Sequence, residues 1–320
     1  MKMTGAQAIV ESLLRENVEI VFGYPGGTVL PTYDALFEKK VNIHHVLVRH
    51  EQGAVIAAEG YAKSTGKIGV CIATSGPGAT NLVTGIADAM LDSVPLVCIT
   101  GQVASNLIGS DAFQEADIVG ITIPITKWNY QVTKAADIPA VMAKAFYYAT
   151  HGRPGPVLVD ITKDAQMEML DYEYLPHVPR VEPVHKHSDM KFIEIADMLN
   201  NAKRPLILAG NGVGISNAED ELLKLVEKAT IPVACTLHGL HNFPSDHELF
   251  VGLLGMHGNY APNIMTNHAD VILAIGMRFD DRVTGNLAKY AKQAKIIHID
   301  IDHAEFNKNV KSLISLQADA

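Results

Sequence analysis

Short β-branched runs, each closed by a glycine-bearing turn and followed by a helical stretch, recur along this chain and limit the folds open to it. The clearest is IGVCIATSGPGATN (68–81), where an apolar run breaks at Gly76-Pro77-Gly78 and leads into a helix. EIVFGYPGG (19–27) has the same form, and HHVLVRHE (44–51) reads as a second strand with Glu51 at its end. SVPLVCITGQV (93–103) and GPVLVDIT (155–162) are further strands. A helix is expected from Ala54 to Lys63. Another is expected at the N-terminus, where Thr4 can cap it and Ile9, Leu13 and Leu14 share a face. Apolar runs alternating with helices imply a parallel sheet covered on both faces.

The alternation stops at QMEMLDYEYLPHVPRVEPVHKH, which carries Pro176, Pro179 and Pro183 and no period. It resumes with a helix over roughly 189–202 and with strands in RPLILAGNGVG (204–214), IPVACTL (231–237), ADVILAIGMRF (269–279) and AKIIHIDID (294–302). The expectation is α/β: two consecutive open parallel-sheet domains, residues 1–165 and 189–320, joined by a linker over 166–188. A length of 320 residues agrees with two cores rather than one.

No apolar run approaches the roughly 18 residues of a membrane helix, and the N-terminus lacks the continuous apolar stretch of an export signal. A net charge of −9 argues against nucleic-acid binding, so anionic ligands must be held locally, by helix N-termini or single arginines. Cys71, Cys98 and Cys235 each lie inside an apolar run. They read as buried small hydrophobes in a reducing, cytoplasmic setting, with neither zinc nor disulfide spacing.

Ligands of open parallel sheets bind at the carboxyl ends of strands. Gly26 and Gly27 follow the first strand; Gly76 and Gly78 follow the third, with Asn81 entering the next helix; Gly210, Gly212 and Gly214 follow the first strand of the second half. Such glycines admit a ligand close to the backbone, but a βα turn uses glycine without a ligand too, and GNGVG is an incomplete dinucleotide fingerprint. Glu51 has two readings: a half-buried carboxylate able to share a proton with a heterocyclic nitrogen, or a first-turn glutamate complementing a helix dipole. In GMRFDDRVTG (276–285), Arg278 and Arg282 can reach phosphate while Asp280 and Asp281 orient them, or the loop is a solvated set of salt bridges. Arg153 divides the same way, and His257 either stacks on a flat ring or packs. The remaining histidines, His44 and His45 included, show no metal-ligand spacing.

Taken in order, GYPGG, RHEQGA, AEGYA, TSGPGATN, GQV, DAFQEADIVGIT, TKWN, GRPGPVLVD, GMHG and RFDDRVTGN make a specific set. The chain resembles the catalytic subunits of acetolactate synthase (acetohydroxyacid synthase), thiamine-diphosphate enzymes of the pyruvate-oxidase-like group, over essentially its whole length. RHEQGA and TSGPGATN are shared by the wider group; DAFQEADIVGIT and RFDDRVTG are closer to the FAD-containing synthases.

The resemblance implies a pyrimidine-binding domain over 1–165 and a Rossmann-like central FAD domain over 189–320. A diphosphate-binding domain, carrying GDG and the Mg2+ ligands, is expected beyond Ala320; no GDG occurs here. It implies that Glu51 hydrogen-bonds the aminopyrimidine of thiamine diphosphate, beside Gly26, Gly27 and Asn81, and that the cofactor itself then carries the decarboxylation. Phe113, Gln114 and Lys163 match substrate-channel positions. Arg153, Gly210, Gly212, Thr236, Leu237, Met256, His257, Gly276, Arg278, Asp280, Arg282 and Asp300 match the FAD surface, where the flavin has no net redox role.

The implied reaction joins pyruvate to a second 2-ketoacid, pyruvate or 2-ketobutyrate, giving 2-acetolactate or 2-aceto-2-hydroxybutyrate for branched-chain amino acids. A homodimer or tetramer, with a small regulatory subunit, is implied for the whole enzyme. The isolated chain is expected to hold half of each site and to be inactive. The alternatives are a non-catalytic flavin- or nucleotide-binding fragment, or another pyruvate-oxidase-like 2-ketoacid decarboxylase. Ala104 stands where the family often has proline, beside its inhibitor channel.

Overall fold

The structure is a computed structural model that describes residues 1–38, 42–178 and 189–320. Two compact units divide it, Met1–Arg180 and Val181–Ala320.

In the first unit, strand β1 (Lys2–Thr4) leads into helix α1 (Gly5–Arg15). Thr4 caps α1 as expected: the Gln7 amide donates to Thr4 Oγ1 at 3.2 Å, and the Thr4 amide donates to Gln7 Oε1 at 3.1 Å. The helix buries Ile9 and Leu13. Then come β2 (Ile20–Gly23), α2 (Leu30–Glu38), β3 (His44–Leu47), α3 (Glu51–Thr65), β4 (Gly69–Ala73), the single turn α4 (Pro77–Thr80), α5 (Val83–Asp92) and β5 (Leu96–Gln102). After α6 (Ile118–Thr122) the unit finishes with β6 (Trp128–Val132), α7 (Ile138–Thr150), β7 (Pro156–Thr162), α8 (Lys163–Met167) and β8 (Met169–Asp171).

Six strands form one parallel sheet in the order β3-β2-β4-β5-β7-β6. Side chains alternate across it. Val70 and Ile72 of β4 enter a core with Ile9 of α1 and Met142 of α7, while Cys71 and Ala73 enter the opposite core with Val55 of α3 and Ile86 of α5. Every residue of β4, β5 and β7 is buried, which is why these runs are mostly apolar; the polar exceptions are Thr100 and Gln102 of β5 and Asp160 and Thr162 of β7.

The second unit opens with α9 (Asp189–Asn200), β9 (Pro205–Ala209), the short α10 (Asn211–Ile215) and α11 (Glu219–Ala229). It continues through β10 (Val233–Cys235), β11 (Phe250–Leu253), α12 (Tyr260–His268), β12 (Val271–Ile275), α13 (Asp281–Thr284), β13 (Lys295–Asp300) and β14 (Ile314–Gln317). Its six-stranded sheet is also parallel, in the order β11-β10-β9-β12-β13-β14. Ile207 and Ala209 face one core and Leu206 and Leu208 the other, so both faces are covered.

Two expectations change. Residues 166–171 are not linker: α8 continues β7, and β8 pairs antiparallel with β1 through Met3↔Leu170. Within the expected linker, Pro179 and Pro183 lie outside the described residues. Glu51 does not end a strand. The β2–β3 ladder stops at Gly23↔Leu47, and Glu51 is the first residue of α3, whose cap is His50, with the Gln52 amide donating to its Nδ1 at 3.1 Å.

Candidate functional site

The order of the first sheet turns back at β2: the chain goes to β3 on one side and returns to β4 on the other. Loops leaving the carboxyl ends of β2 and β4 therefore part and open a crevice there. Gly26 lies in the β2 loop and Gly78 in α4 beyond β4. A Cβ on Gly26 would stand 2.5 Å from Thr74 Cγ2; one on Gly78 would stand 2.7 Å from the same methyl and 3.2 Å from Glu51 Oε1. Thr74 is held in turn, its Oγ1 2.9 Å from Thr28 Oγ1. The Ser75 amide donates to Thr28 Oγ1 at 3.0 Å.

Into this glycine floor comes Glu51, 8% exposed, with Asn81 Nδ2 donating to its Oε2 at 2.9 Å. The structure thus brings Glu51, Gly26, Gly78 and Asn81 together, although Asn81 and Glu51 are far apart in sequence. A Cβ on Gly27 would meet nothing within 4 Å. Gly76 has φ +58°, and a Cβ there would stand 2.7 Å from the Gln114 carbonyl oxygen. Gln114 therefore closes one side of the crevice with its backbone. Phe113 beside it is 86% exposed, and Lys163 lies exposed at the start of α8. Arg153 precedes β7, at the other end of that strand, and its Nε donates to Ser93 Oγ at 2.8 Å.

Sequence reasoning missed two polar clusters in this unit. Tyr33 and His45 meet with hydroxyl and Nε2 3.2 Å apart. Burial pushes the Tyr33 phenol up, reinforced by Cys71 and by Glu51, and burial pushes His45 down. Asp160, fully buried in β7, accepts from Thr100 Oγ1 at 2.7 Å, Gln131 Nε2 at 2.9 Å and Gln102 Nε2 at 3.1 Å. Burial pushes its carboxyl above the usual carboxylate range, although these donors pull the other way. A lone aspartate inside VLVDIT was the available signal.

The second sheet turns back at β9, which separates β10 and β11 from β12. The two loops at this point touch. The Gly212 amide donates to the Gly276 carbonyl at 2.9 Å, Gly276 has φ +56°, and a Cβ on it would stand 2.7 Å from Gly212 Cα. A side chain on Gly210 would collide with the Gly276 carbonyl. Thr236 follows β10, its amide donating to the Ala209 carbonyl at 3.0 Å, and Leu237 next to it is 66% exposed. Met256 and His257 follow β11. The Met256 amide donates to the Arg282 carbonyl at 2.7 Å, and Arg282 Nη1 lies 3.4 Å from Met256 Sδ. Asp280 caps α13, accepting from the Arg282 and Val283 amides at 3.1 Å, and stands 3.7 Å from Arg278. Asp300 closes β13 and accepts from the Asp302 amide at 2.8 Å. These residues occupy the carboxyl edge of one sheet.

Comparison with known proteins finds two family matches along the chain. Residues 3–121 match the thiamine pyrophosphate enzyme N-terminal TPP-binding domain, and residues 193–320 match the thiamine pyrophosphate enzyme central domain. The chain belongs to the thiamine pyrophosphate enzyme family. It is 53% identical over 321 residues to the acetolactate synthase large subunit of Corynebacterium glutamicum, covering 100% of this chain and 51% of that protein. It is 50% identical over 323 residues to the probable acetolactate synthase large subunit of Methanocaldococcus jannaschii, covering 99% and 54%. It is 50% identical over 324 residues to the chloroplastic acetolactate synthase of Arabidopsis thaliana, covering 98% and 47%. The chain spans about half the length of the curated relatives it matches. Among the described residues no helix is long and apolar enough to cross a membrane, and no three or more His, Cys, Asp or Glu gather to hold a metal ion.

Proposed function

We propose that this chain is the pyrimidine- and FAD-binding part of an acetolactate synthase catalytic subunit. The observation that carries the reading is the Glu51–Asn81 pair over the Gly26–Gly78 floor, where added methyl groups would collide and a flat ring can approach the backbone. Glu51 would hold the proton shared with an aminopyrimidine nitrogen. Asn81 orients the carboxylate by donating to Oε2, which leaves Oε1, the oxygen nearer Gly78, toward the ring. Burial of Glu51 keeps bulk water from competing for that proton. Bound thiamine diphosphate supplies the carbon nucleophile for pyruvate and for transfer to a second 2-ketoacid. Phe113, Gln114 and Lys163 would line the approach of the substrate.

The second unit fits a dinucleotide. Its strand order is that of doubly wound nucleotide-binding sheets, its glycine turns lie at the switch point, and Asp300, an acceptor, ends β13 at the same carboxyl edge. Gly210, Gly212 and Gly276 would admit FAD's pyrophosphate, with Arg278 and Arg282 complementing its charge, and Thr236, Leu237, Met256, His257 and Asp280 would flank it; Arg153, in the first unit, is assigned to the flavin by the resemblance alone. The Mg2+ ligands, the dimer or tetramer, a regulatory subunit and a cytoplasmic location belong to the same reading.

The test is acetolactate formation from pyruvate with thiamine diphosphate, Mg2+ and FAD supplied. The purified chain alone should give no product, and adding the C-terminal half of the C. glutamicum relative should restore it. Glu51→Gln in the complemented enzyme should lower turnover by about 100-fold or more. Turnover by the chain alone, or a complemented E51Q as fast as the parent, overturns the reading.

A further inference from the structure

His298 lies on β13, register partner of Ala274 on β12, with its side chain fully buried. Its Nε2 stands 2.9 Å from the Met277 carbonyl oxygen. A carbonyl only accepts, so Nε2 carries the proton and Nδ1 is the bare nitrogen. That Nδ1 is buried with no hydrogen-bond partner among the described residues. A buried, unpaired polar atom is costly, and an apolar side chain could fill the same volume without it. What an apolar side chain could not do is hold Met277.

Met277 follows Gly276, the residue in contact with Gly212 at the switch point of the sheet, and precedes Arg278. The imidazole also sits edge-on to Phe279, with centroids 5.1 Å apart and planes at 78°, and to Phe306 at 5.2 Å and 85°. One side chain thus fixes the carbonyl before Arg278 and the ring after it. Asn309 Nδ2, donating to the Phe279 carbonyl at 2.8 Å, holds the following peptide. Few regular ladder bonds are available to a turn leaving a strand, so these side-chain bonds set its path.

We propose that His298 is a positioning residue for the ligand-binding turn Gly276–Asp280, acting through the Met277 carbonyl. The inference rests on the flavin reading of this unit and adds to it the group that holds the turn in shape before ligand arrives. The titratable and charged neighbours of the imidazole are Asp300 on its own strand, with Oδ2 3.9 Å from Nε2, and Glu305 in the turn that follows. The proposed action is that of the neutral ring and needs no change of charge.

The experiment uses the purified 320-residue protein and three variants, H298Q, H298N and H298F. Glutamine can place an N–H near the position of Nε2, asparagine only near that of Nδ1, and phenylalanine keeps the ring without a donor. FAD is titrated against each and read by quenching of flavin fluorescence, with urea midpoints measured in parallel. H298F and H298N should weaken FAD binding by about tenfold or more, and H298Q should come back to within about threefold of the parent. Equal FAD affinity in all four proteins, whatever their midpoints, overturns the inference. If the parent itself binds no FAD, the flavin reading fails and the turn is read directly, by amide hydrogen exchange of residues 277–280. Faster exchange in H298F and H298N than in H298Q then sustains the positioning role, and equal exchange ends it.

Discussion

Gly78→Ala tests the floor of the first crevice. The added methyl would lie 2.7 Å from Thr74 Cγ2 and 3.2 Å from Glu51 Oε1. Carbon atoms in contact sit about 3.5–4.0 Å apart, so the first distance is short by roughly 1 Å. Thr74 cannot turn its methyl aside freely, because its Oγ1 is 2.9 Å from Thr28 Oγ1 and accepts from the Thr28 amide at 3.4 Å. Overpacking of this kind costs about 1–3 kcal/mol. Thr74→Ser removes the offending methyl, keeps the hydroxyl, and by itself costs about 1 kcal/mol of burial. In G78A/T74S the nearest remaining Thr74 atom is Cβ at 3.6 Å, an ordinary contact. The double variant should therefore be more stable than the sum of the singles by about 1 kcal/mol or more. The assay is urea unfolding of the full chain followed by tryptophan fluorescence. Trp128 is the single tryptophan and lies on β6, so it reports the first unit alone. The 3.2 Å approach to Glu51 survives in the double variant, so stability should recover without recovery of turnover in the complemented enzyme. Additivity within about 0.3 kcal/mol would refute the steric argument.

Two further outcomes follow from buried polar groups. Asp160→Asn keeps the shape of the side chain but replaces one acceptor of the Thr100, Gln102 and Gln131 donors with a donor; the Trp128 transition should lose about 1–3 kcal/mol, and an unchanged midpoint would show those bonds to be dispensable. Burial holds His298 below its ordinary value, so its contribution to stability is present above the unfolded value, about 6.5, and is lost as pH falls through it toward the depressed folded value. Exchange of the β12 and β13 amides should accelerate over that window, and H298Q should flatten the acceleration; a parallel pH profile in H298Q would assign the effect to other groups.

Periodicity along the chain revealed the interior strands because these are buried on both faces. β4, β5, β7, β9 and β12 are apolar almost throughout, so their runs stand out. The strands missed were β1, β6, β8, β11 and β14, and the physical reason is shared. β6, β11 and β14 are sheet edges in which half or more of the residues are only partly buried, and β1 and β8 form a two-stranded ribbon, so none carries a continuous buried apolar run. The edge position of β3 also explains the correction at Glu51. With one neighbour, β3 has no ladder past Leu47, and residues 48–50 leave the sheet to cap a helix.

The sequence by itself determined the α/β class, the two parallel sheets, the glycine turns at strand ends and the residues that mark the family. All of these are local: an apolar run, a turn residue, a short motif. Strand order was decided only in the tertiary structure, because pairing joins segments distant in the chain and leaves no period in either. Placing β4 beside β2 sets Gly78 and Asn81 against Glu51, and placing β12 beside β9 sets Gly276 against Gly212. The His298 tautomer is of the same kind. The string KIIHIDID contains a histidine, but only the packed sheet puts a carbonyl 2.9 Å from one nitrogen and leaves the other without a hydrogen-bond partner among the described residues.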